Sequence, residues 1–280
     1  MATEAPPAED LVGFGKSDNR RFLHVVYRVG DLNKTINFYT ECLGMKLLRK
    51  RDIPSEKYTN AFLGYGPEDT HFVIELTYNY GVDKYNLGTA FGYFGIVVQD
   101  VKATVELIKS KGGKVLTEVE EGILIAYVED PDGYKFLLTQ MGPTADPFNL
   151  IMIKVGDLDR AINFYEKAFG MCLYRRDENT DKKCTKAYLG YGSDEKKTTI
   201  LGLTYNHGLT EYDKGNAYAQ IALGTDDVYK TAKLLKEFGG KVTREPGPLP
   251  GINTKITAVL DPDGWKTVFV DNADFLKELE

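Results

Sequence analysis

The sequence predicts an α+β fold that contains two copies of one structural unit. Five sequence blocks of the first half return in the second half in the same order. Short segments with alternating apolar residues are separated by amphipathic helical segments and by turns rich in glycine or proline. Each half should therefore supply paired βαβββ units whose curved mixed sheets surround a cleft.

The duplication is clearest around the first helix of each half, where residues 29–39 (VGDLNKTINFY) return as residues 155–165 (VGDLDRAINFY). The other four blocks pair 63–66 with 189–192, 76–79 with 203–206, 112–115 with 239–242, and 130–133 with 261–264. This pattern predicts a disordered tail at residues 1–20, a first domain at 21–142 and a second at 143–280. The linker, residues 141–147, contains glycine and proline.

Within the first half, each element follows from a local signal. An alternating strand at residues 22–29 leads to Asp31, which occupies a helix N-cap position, as Asp157 does in the second half. Further elements are expected as strands at 60–63, 72–78 and 93–98, a helix at 101–111, and a hairpin of 124–128 and 134–139 around an Asp-Pro-Asp-Gly turn.

The composition excludes several classes of function. The 280 residues carry a formal net charge of −6 and the pI is near 5.3, whereas nucleic-acid binding depends on clustered Lys and Arg. The apolar runs are far shorter than the roughly 20 residues that span a bilayer. Residues 1–20 lack signal features, and three cysteines without CxxC spacing favour a reducing compartment. We expect a cytoplasmic protein with no nucleic-acid or membrane partner.

The repeated blocks carry a family resemblance. The entry Arg28-Val-Gly-Asp-Leu32, residues 75–81 (ELTYNYG) and the paired Asp-Pro-Asp-Gly turns resemble plant two-domain glyoxalase I, of the vicinal oxygen chelate superfamily. The resemblance covers the chain from about Phe22 to its end. It implies tandem vicinal oxygen chelate domains with sites between the halves. In such a site, four residues bind a divalent ion such as Zn²⁺ or Ni²⁺. The first and third are His or Gln, and the second and fourth are Glu. The last Glu also moves the substrate proton.

Transferring the ligand positions residue by residue gives two unequal clefts. The first cleft takes the positions His24, Glu75, Gln220 and Val268. The second cleft takes the positions Leu150, Gly202, Tyr93 and Leu137. A phenol binds metal poorly at neutral pH because its pKa is near 10, so the second cleft is not expected to bind metal. The first keeps an imidazole, a carboxylate and an amide but lacks the closing Glu.

The residues that the family uses for glutathione are changed as well. Arg28 and Asn79 remain, Asn206 lies near the second cleft mouth, and Lys154 replaces the arginine of the second half. Residues 118–122 (EVEEG) are acidic where an anionic tripeptide would need positive charge. Substrate contact is assigned to Arg28, Asn79 and Asn206, together with the apolar ligand positions Leu137, Leu150 and Val268.

These losses resemble a specialised, metal-free branch of the family in gossypol biosynthesis. The resemblance implies a cofactor-free and glutathione-independent isomerase or aromatase, which enolises cyclic sesquiterpenoid α-hydroxyketones in an enlarged, apolar cleft. The partner would be that hydrophobic small molecule, and the chain would act as a monomer. Glu75 is the expected base, His24 the alternative proton carrier, and Gln220 or Tyr93 the donor to the enolate.

Two other functions stay open. A metal-dependent lactoylglutathione lyase could operate with Zn²⁺ or Ni²⁺ at His24, Glu75 and Gln220, acting on the methylglyoxal–glutathione adduct. A non-catalytic protein that binds a small molecule is also consistent with the fold, since fold does not determine function. In that case His24 and Glu75 would be remnants of an ancestral site.

Overall fold

The computed structural model describes residues 10–117, 122, 124–144 and 146–280. These residues form six α-helices and sixteen strands in two mixed sheets. The helices are α1 Leu11–Ser17, α2 Leu32–Glu41, α3 Val101–Ser110, α4 Leu158–Ala168, α5 Val228–Glu237 and α6 Asn272–Glu278. The strands of the first half are β1 Phe22–Arg28, β2 Lys46–Ile53, β3 Tyr58–Gly64, β4 Val73–Asn79, β5 Phe91–Val98, β6 Lys114–Val115, β7 Ile125–Glu129 and β8 Lys135–Gln140. Those of the second half are β9 Phe148–Lys154, β10 Cys172–Asn179, β11 Cys184–Gly190, β12 Ile200–Asn206, β13 Tyr218–Thr225, β14 Lys241–Pro248, β15 Lys255–Leu260 and β16 Lys266–Asp271.

Each sheet has eight strands and takes four of them from each half of the chain. The first has the order β14-β15-β16-β13-β1-β4-β3-β2, and the second has the order β10-β11-β12-β9-β5-β8-β7-β6. The halves join where β1 pairs with β13 and β5 with β9, both antiparallel. The predicted α+β class with tandem units and mixed sheets is confirmed. The division at residues 142 and 143 describes the sequence repeat, whereas each sheet contains both repeats.

Aspartates start the long helices. Asp31, Asp100, Asp157 and Asp227 each accept a hydrogen bond from the amide three residues later, which satisfies a donor that the helix itself leaves free. The two caps predicted from the repeat are among them. Within the described ranges, no helix is long and apolar enough to cross a membrane.

The Asp-Pro-Asp-Gly turns are held by their first aspartate. Asp130 accepts hydrogen bonds from the amides of Asp132 (2.9 Å) and Tyr134 (2.8 Å) and from the hydroxyl of Tyr39 (2.6 Å). Asp261 has the equivalent partners in the second half. Burial raises the pKa of Asp130 to about 7 and that of Asp261 to about 6. These carboxylates therefore stabilise the turns, and no catalytic role is assigned to them.

This network predicts a loss of stability as pH rises. An unfolded aspartate has a pKa near 4, so between about pH 4 and pH 7 the folded chain holds the Asp130 proton more tightly than the unfolded chain. The free energy of unfolding should then fall with rising pH, by up to about 1.4 kcal/mol per pH unit from this group. In Asp130→Asn that slope should shrink, measured by urea unfolding at pH 5 and pH 8. Equal slopes in the variant and the parent would contradict the prediction.

The first helix corrects the predicted disordered tail over residues 11–20. Asp10 caps α1 by accepting from the Gly13 amide. After the helix, Arg20 is buried and donates to the Ala168 carbonyl (3.0 Å) and to Thr231 (3.2 Å). The segment is ordered because its arginine satisfies polar groups of the second half. Residues 1–9 lie outside the described residues.

Candidate active site

The four positions of the first cleft lie on four neighbouring strands, in the order β16, β13, β1 and β4. His24 is paired with Ala222, which in turn is paired with Val268. Two residues along β1, both Gln220 and Glu75 are level with one valine, Val26. Residues two apart on a strand share a face. His24, Glu75, Gln220 and Val268 therefore lie on one face of the sheet.

His24 and Glu75 form the polar centre of this cleft. His24 Nε2 lies 3.3 Å from Glu75 Oε2, and 13% and 17% of the two side chains are exposed. The amide of Asn60 donates a 2.9 Å hydrogen bond to Glu75 Oε1. His24 Nδ1 is buried and finds no hydrogen-bond partner. One carboxylate is thus positioned by two side chains, and it faces a histidine whose second nitrogen is unsupported.

Burial sets the protonation of this pair. Burial, reinforced by the charges of Arg49 and Arg21, lowers the pKa of His24 to about 3. Burial also raises the pKa of Glu75, although the Asn60 hydrogen bond opposes the shift. At neutral pH the imidazole is therefore uncharged and keeps a free lone pair. The raised pKa makes Glu75 a stronger base than an exposed glutamate.

The C-terminal helix α6 covers this cleft. Phe275 is 3% exposed and packs in one apolar cluster with Val268, and its ring centroid lies 6.4 Å from that of His24. Lys255 holds the helix by ion pairs with Asp274 (2.6 Å) and Asp271 (3.0 Å). Access to His24 and Glu75 from this side therefore requires α6 to move.

The donors of the first cleft fit a divalent ion held by three protein groups. The 3.3 Å between His24 Nε2 and Glu75 Oε2 suits two neighbouring ligands, each about 2.1 Å from one ion. A histidine must be neutral to bind a metal, and the lowered pKa of His24 keeps its imidazole neutral. Elsewhere among the described residues, no group of three or more His, Cys, Asp or Glu could hold a metal, and here the third donor is the Gln220 amide. Without a carboxylate at Val268 or a partner for His24 Nδ1, affinity should be modest.

Metal titration should therefore find one weak site per chain. His24→Ala removes the only nitrogen donor of the three, so Ni²⁺ binding should fall below detection in a calorimetric titration of chelator-treated protein. Leu150→Ala changes the equivalent position in the second cleft and should leave Ni²⁺ binding unchanged. Equal Ni²⁺ affinity in parent and His24→Ala would place the ion elsewhere.

The second cleft repeats this arrangement without ligands. Tyr93 and Gly202 are level with Met152, while Leu150 and Leu137 flank Gly95 two residues along. A Cβ on Gly202 would lie 2.4 Å from the Met152 methyl carbon. The Met152 side chain therefore fills the space that the missing carboxylate leaves. This corrects the expectation that leucine and glycine enlarge the cleft.

Phenols and cations replace the ligands there. Lys186 donates a 3.2 Å hydrogen bond to the Tyr93 hydroxyl, and the rings of Tyr93 and Tyr127 meet edge to face with centroids 5.4 Å apart. Burial raises the pKa of each of these two tyrosines to about 12. Beside them, the Arg175 guanidinium lies 3.5 Å from the centre of the Tyr188 ring. Both phenols stay protonated at neutral pH, so each hydroxyl can donate a hydrogen bond to a ligand.

The residues assigned to substrate contact lie at strand ends. Arg28 ends β1, four residues beyond His24, and donates a 2.8 Å hydrogen bond to the Asn216 carbonyl. Asn79 ends β4 and donates a 2.8 Å bond to the Tyr85 hydroxyl. Asn206 ends β12 in the second half. Their place at the cleft mouths suits contact with a substrate's outer part, which stays a prediction.

Several residues of the two clefts were not predicted. Asn60 and Phe275 in the first, and Lys186 and Tyr127 in the second, are outside the ligand positions of the family. Strand alternation provides a usable signal for Asn60 and Lys186, since each occupies the same point of the repeat, three residues before the Leu-Gly-Tyr-Gly block. The acidic residues 118–121 lie outside the described residues.

Fold and site together define a tandem member of the vicinal oxygen chelate class, with one donor-bearing cleft and one without metal ligands. Residues 21–138 and 148–269 match the family described as the Glyoxalase/Bleomycin resistance protein/Dioxygenase superfamily, and the chain belongs to it.

Within this superfamily the chain is similar to plant lactoylglutathione lyases. It is 69% identical to the probable chloroplastic lactoylglutathione lyase of Arabidopsis thaliana, over 100% of this chain and 81% of that protein. It is 60% identical to lactoylglutathione lyase of Oryza sativa subsp. japonica, over 97% and 96%. Glyoxalase I from Zea mays has the same fold in its crystal structure, with a TM-score of 0.92 and 62% identity over 96% of this chain and 98% of that one.

These similarities overturn two predictions. The expected cofactor-free aromatase of sesquiterpenoid hydroxyketones is wrong, because relatives at 60–69% identity over nearly the whole chain are named lactoylglutathione lyases. The prediction of no cofactor is wrong for the same reason, since glyoxalase I enzymes use a divalent ion. The physical cause of both errors is that the missing closing glutamate at Val268 was taken as loss of the metal, although His24, Glu75 and Gln220 remain.

Proposed function

We propose that the protein is a metal-dependent lactoylglutathione lyase that acts in the first cleft on the methylglyoxal–glutathione adduct. The observation that carries the proposal is the His24–Glu75 pair, with Nε2 and Oε2 3.3 Å apart and the Gln220 amide on the adjoining strand. The names of the similar plant proteins support the same activity.

The reaction is an isomerisation in which nothing is gained or lost. A hydrogen moves from the carbon that bears sulfur to the neighbouring carbonyl carbon, and the hydroxyl proton moves between the two oxygens, which turns the adduct into a thioester. His24, Glu75 and Gln220 would hold a divalent ion, and its charge would stabilise the negative charge that develops on the substrate oxygens.

Glu75 is the group in this cleft that can move the proton between carbons. Its pKa is raised by burial, which brings its basicity closer to that needed at neutral pH. The Asn60 amide holds Oε1, so Oε2, the oxygen that would also contact the ion, is the one that would leave it to accept the proton from one carbon and return it to the next. His24 stays neutral beside it and neither competes for this proton nor repels an ion.

The outer part of the substrate has a suitable place beside the first cleft. A cavity of about 320 Å³ lies between α6 and the loop after β14, and Arg51, Ile252, Asn253 and Lys277 are among its lining residues. Arg51 supplies positive charge for one carboxylate of glutathione, whereas Lys277 is paired with Asp274 (3.3 Å) and Glu278 also lines the cavity. Because α6 also covers His24 through Phe275, the same helix movement would open the cleft and reshape this cavity.

The test uses chelator-treated protein. Formation of the thioester is followed by ultraviolet absorbance with the methylglyoxal–glutathione adduct, before and after adding Ni²⁺ or Zn²⁺. Turnover that appears on metal addition and disappears with chelator supports the proposal. Binding of the adduct without product at any metal concentration would instead identify a non-catalytic binding protein, for which the covering helix and the valine at position 268 would be the structural reasons.

We also infer that the chain acts as a monomer, because the internal duplication already supplies both sheet junctions, β1 with β13 and β5 with β9. The cytoplasmic location stays a prediction. Analytical ultracentrifugation tests the first inference.

A further inference from the structure

Charged groups occupy different positions in the two clefts and have opposite sign. In the first, Asn60 and Glu75 stand on β3 and β4. In the second, the same register positions on β11 and β12 hold Lys186 and Gly202. A carboxylate with an amide partner has thus been exchanged for an ammonium group with no carboxylate. The second cleft has lost the features of a cation site and acquired those of an anion site.

Lys186 lacks an acidic partner. Its side chain is half-buried, and its hydrogen bond goes to the neutral hydroxyl of Tyr93. Asp177 on β10 is the residue paired with Lys186, but its carboxylate forms an ion pair with Arg175. Among the described residues, no acidic side chain forms an ion pair with Lys186. A partly desolvated charge without a counter-charge is unfavourable, and an anionic ligand would compensate it.

Two further donors lie at the same point. The Tyr93 and Tyr127 rings meet edge to face, with centroids 5.4 Å apart, beside the Lys186 ammonium, which donates to the Tyr93 hydroxyl. Tyr127 stands where the first cleft has Ala258, since these residues pair with Leu137 and Val268 respectively. One ammonium and two phenols therefore converge, and all three can donate hydrogen bonds to one acidic group.

The surroundings of these donors are apolar and open to solvent. Leu150 packs in one apolar cluster with Tyr93, and the half-buried Leu137 is level with Tyr127. Ile125 is 49% exposed, whereas Ile256, its counterpart in the first cleft, is 8% exposed beneath α6. In the described part of the chain, no helix covers the second cleft as α6 covers the first. A hydrocarbon body placed there would bury these side chains.

We propose that the second cleft binds an apolar organic anion with a single acidic group, such as an aryl carboxylate or sulfonate. Lys186, Tyr93 and Tyr127 hold the acidic group. The hydrocarbon part packs against Leu137, Leu150 and Ile125. This site needs no metal and is independent of the lyase activity proposed for the first cleft.

The experiment is a fluorescence titration with two related probes. Anilinonaphthalene sulfonate is apolar with one acidic group, and phenylnaphthylamine is its uncharged relative. Lys186→Met keeps the chain length and removes the charge. It should weaken sulfonate binding at least about tenfold, the equivalent of about 1.4 kcal/mol, and leave binding of the uncharged amine unchanged. Lys186→Arg keeps the charge and should retain most of the sulfonate affinity.

Three controls separate this site from general effects. Lys182→Met removes an exposed lysine of the β10–β11 turn and should change nothing. His24→Ala alters the first cleft and should keep sulfonate binding. Lys186→Asn, which installs the residue of the first cleft, replaces Lys186→Met if that variant does not fold. Equal sulfonate affinity in the parent and both uncharged variants, or loss of affinity in His24→Ala, overturns the proposal. The lyase assay of Lys186→Met should be unaffected, so the two proposals fail separately.

Discussion

Replacing Glu75 by glutamine should lower metal-dependent turnover of the methylglyoxal–glutathione adduct by about 10²–10⁴-fold, the range expected when a general base is removed. Glutamine keeps the shape of the side chain and can still bond to Asn60, which holds Glu75 Oε1 at 2.9 Å. It cannot accept a proton from carbon. The loss should therefore fall on kcat, with little change in the unfolding midpoint.

The control is Glu56→Gln, the same substitution at an exposed glutamate in the turn between β2 and β3. It should keep full activity. Both variants are assayed at saturating Ni²⁺, so that weaker metal binding is not mistaken for a lost base. Full activity in Glu75→Gln would refute the assignment and move the chemistry away from the first cleft.

Introducing a glutamate at Val268 should increase both Ni²⁺ affinity and turnover. Val268 occupies the fourth position, level with His24 across Ala222. A carboxylate at position 268 would complete a set of four ligands around one ion. The other three are His24, Gln220 and Glu75. We expect Ni²⁺ affinity to rise by about one to two orders of magnitude, as changes in a ligand shell commonly produce. Because Val268 is covered by Phe275, Phe275→Ala is combined with it to relieve burial of the new charge.

Leu137→Glu is the matched control for this gain. Leu137 occupies the equivalent fourth position of the second cleft, where Leu150 and Gly202 provide no donors. The added carboxylate should bring no Ni²⁺ binding and no activity. A gain of the same size in Leu137→Glu would show that any new acid, and not completion of the first cleft, causes the effect.

The fold was predictable because five sequence blocks recur in the same order in both halves. Apolar alternation located β1, β4, β5, β7 and β8 to within about two residues of their observed ends, as expected for such signals. β2 was missed because its residues 46–53 (KLLRKRDI) are exposed or half-buried on both faces, which removes the alternation. α1 and α6 were missed because short terminal helices depend on tertiary contacts, here those of Arg20 and Phe275.

The site was predictable only where the repeat fixes register. Family positions put His24, Glu75, Gln220 and Val268 on one face, as the strand pairing shows. What the sequence could not indicate was the cover over this cleft, because α6 follows β16 without any counterpart in the first half. The methionine that fills the space above Gly202 was equally hidden, since its direction depends on packing around Leu150.

The error about activity came from giving the missing carboxylate at Val268 and the losses of the second cleft more weight than the three donors that the first cleft keeps. Strand pairing separates the clefts, because β1 and β4 belong to one sheet and β9 and β12 to the other. Losses in the second sheet therefore do not change the donors in the first. Similarity at 60–69% identity to named lactoylglutathione lyases is consistent with one functioning cleft.

The exchange of strands between the halves determines how the chain can be divided. β1 and β5 are each bordered on one side by a strand from the other half. A fragment that ends in the linker would expose a free edge on both sheets at once, and such edges promote aggregation. Expression of either repeat alone should yield aggregates. Co-expression of the two fragments should restore a folded heterodimer, since each supplies the missing edge of its counterpart.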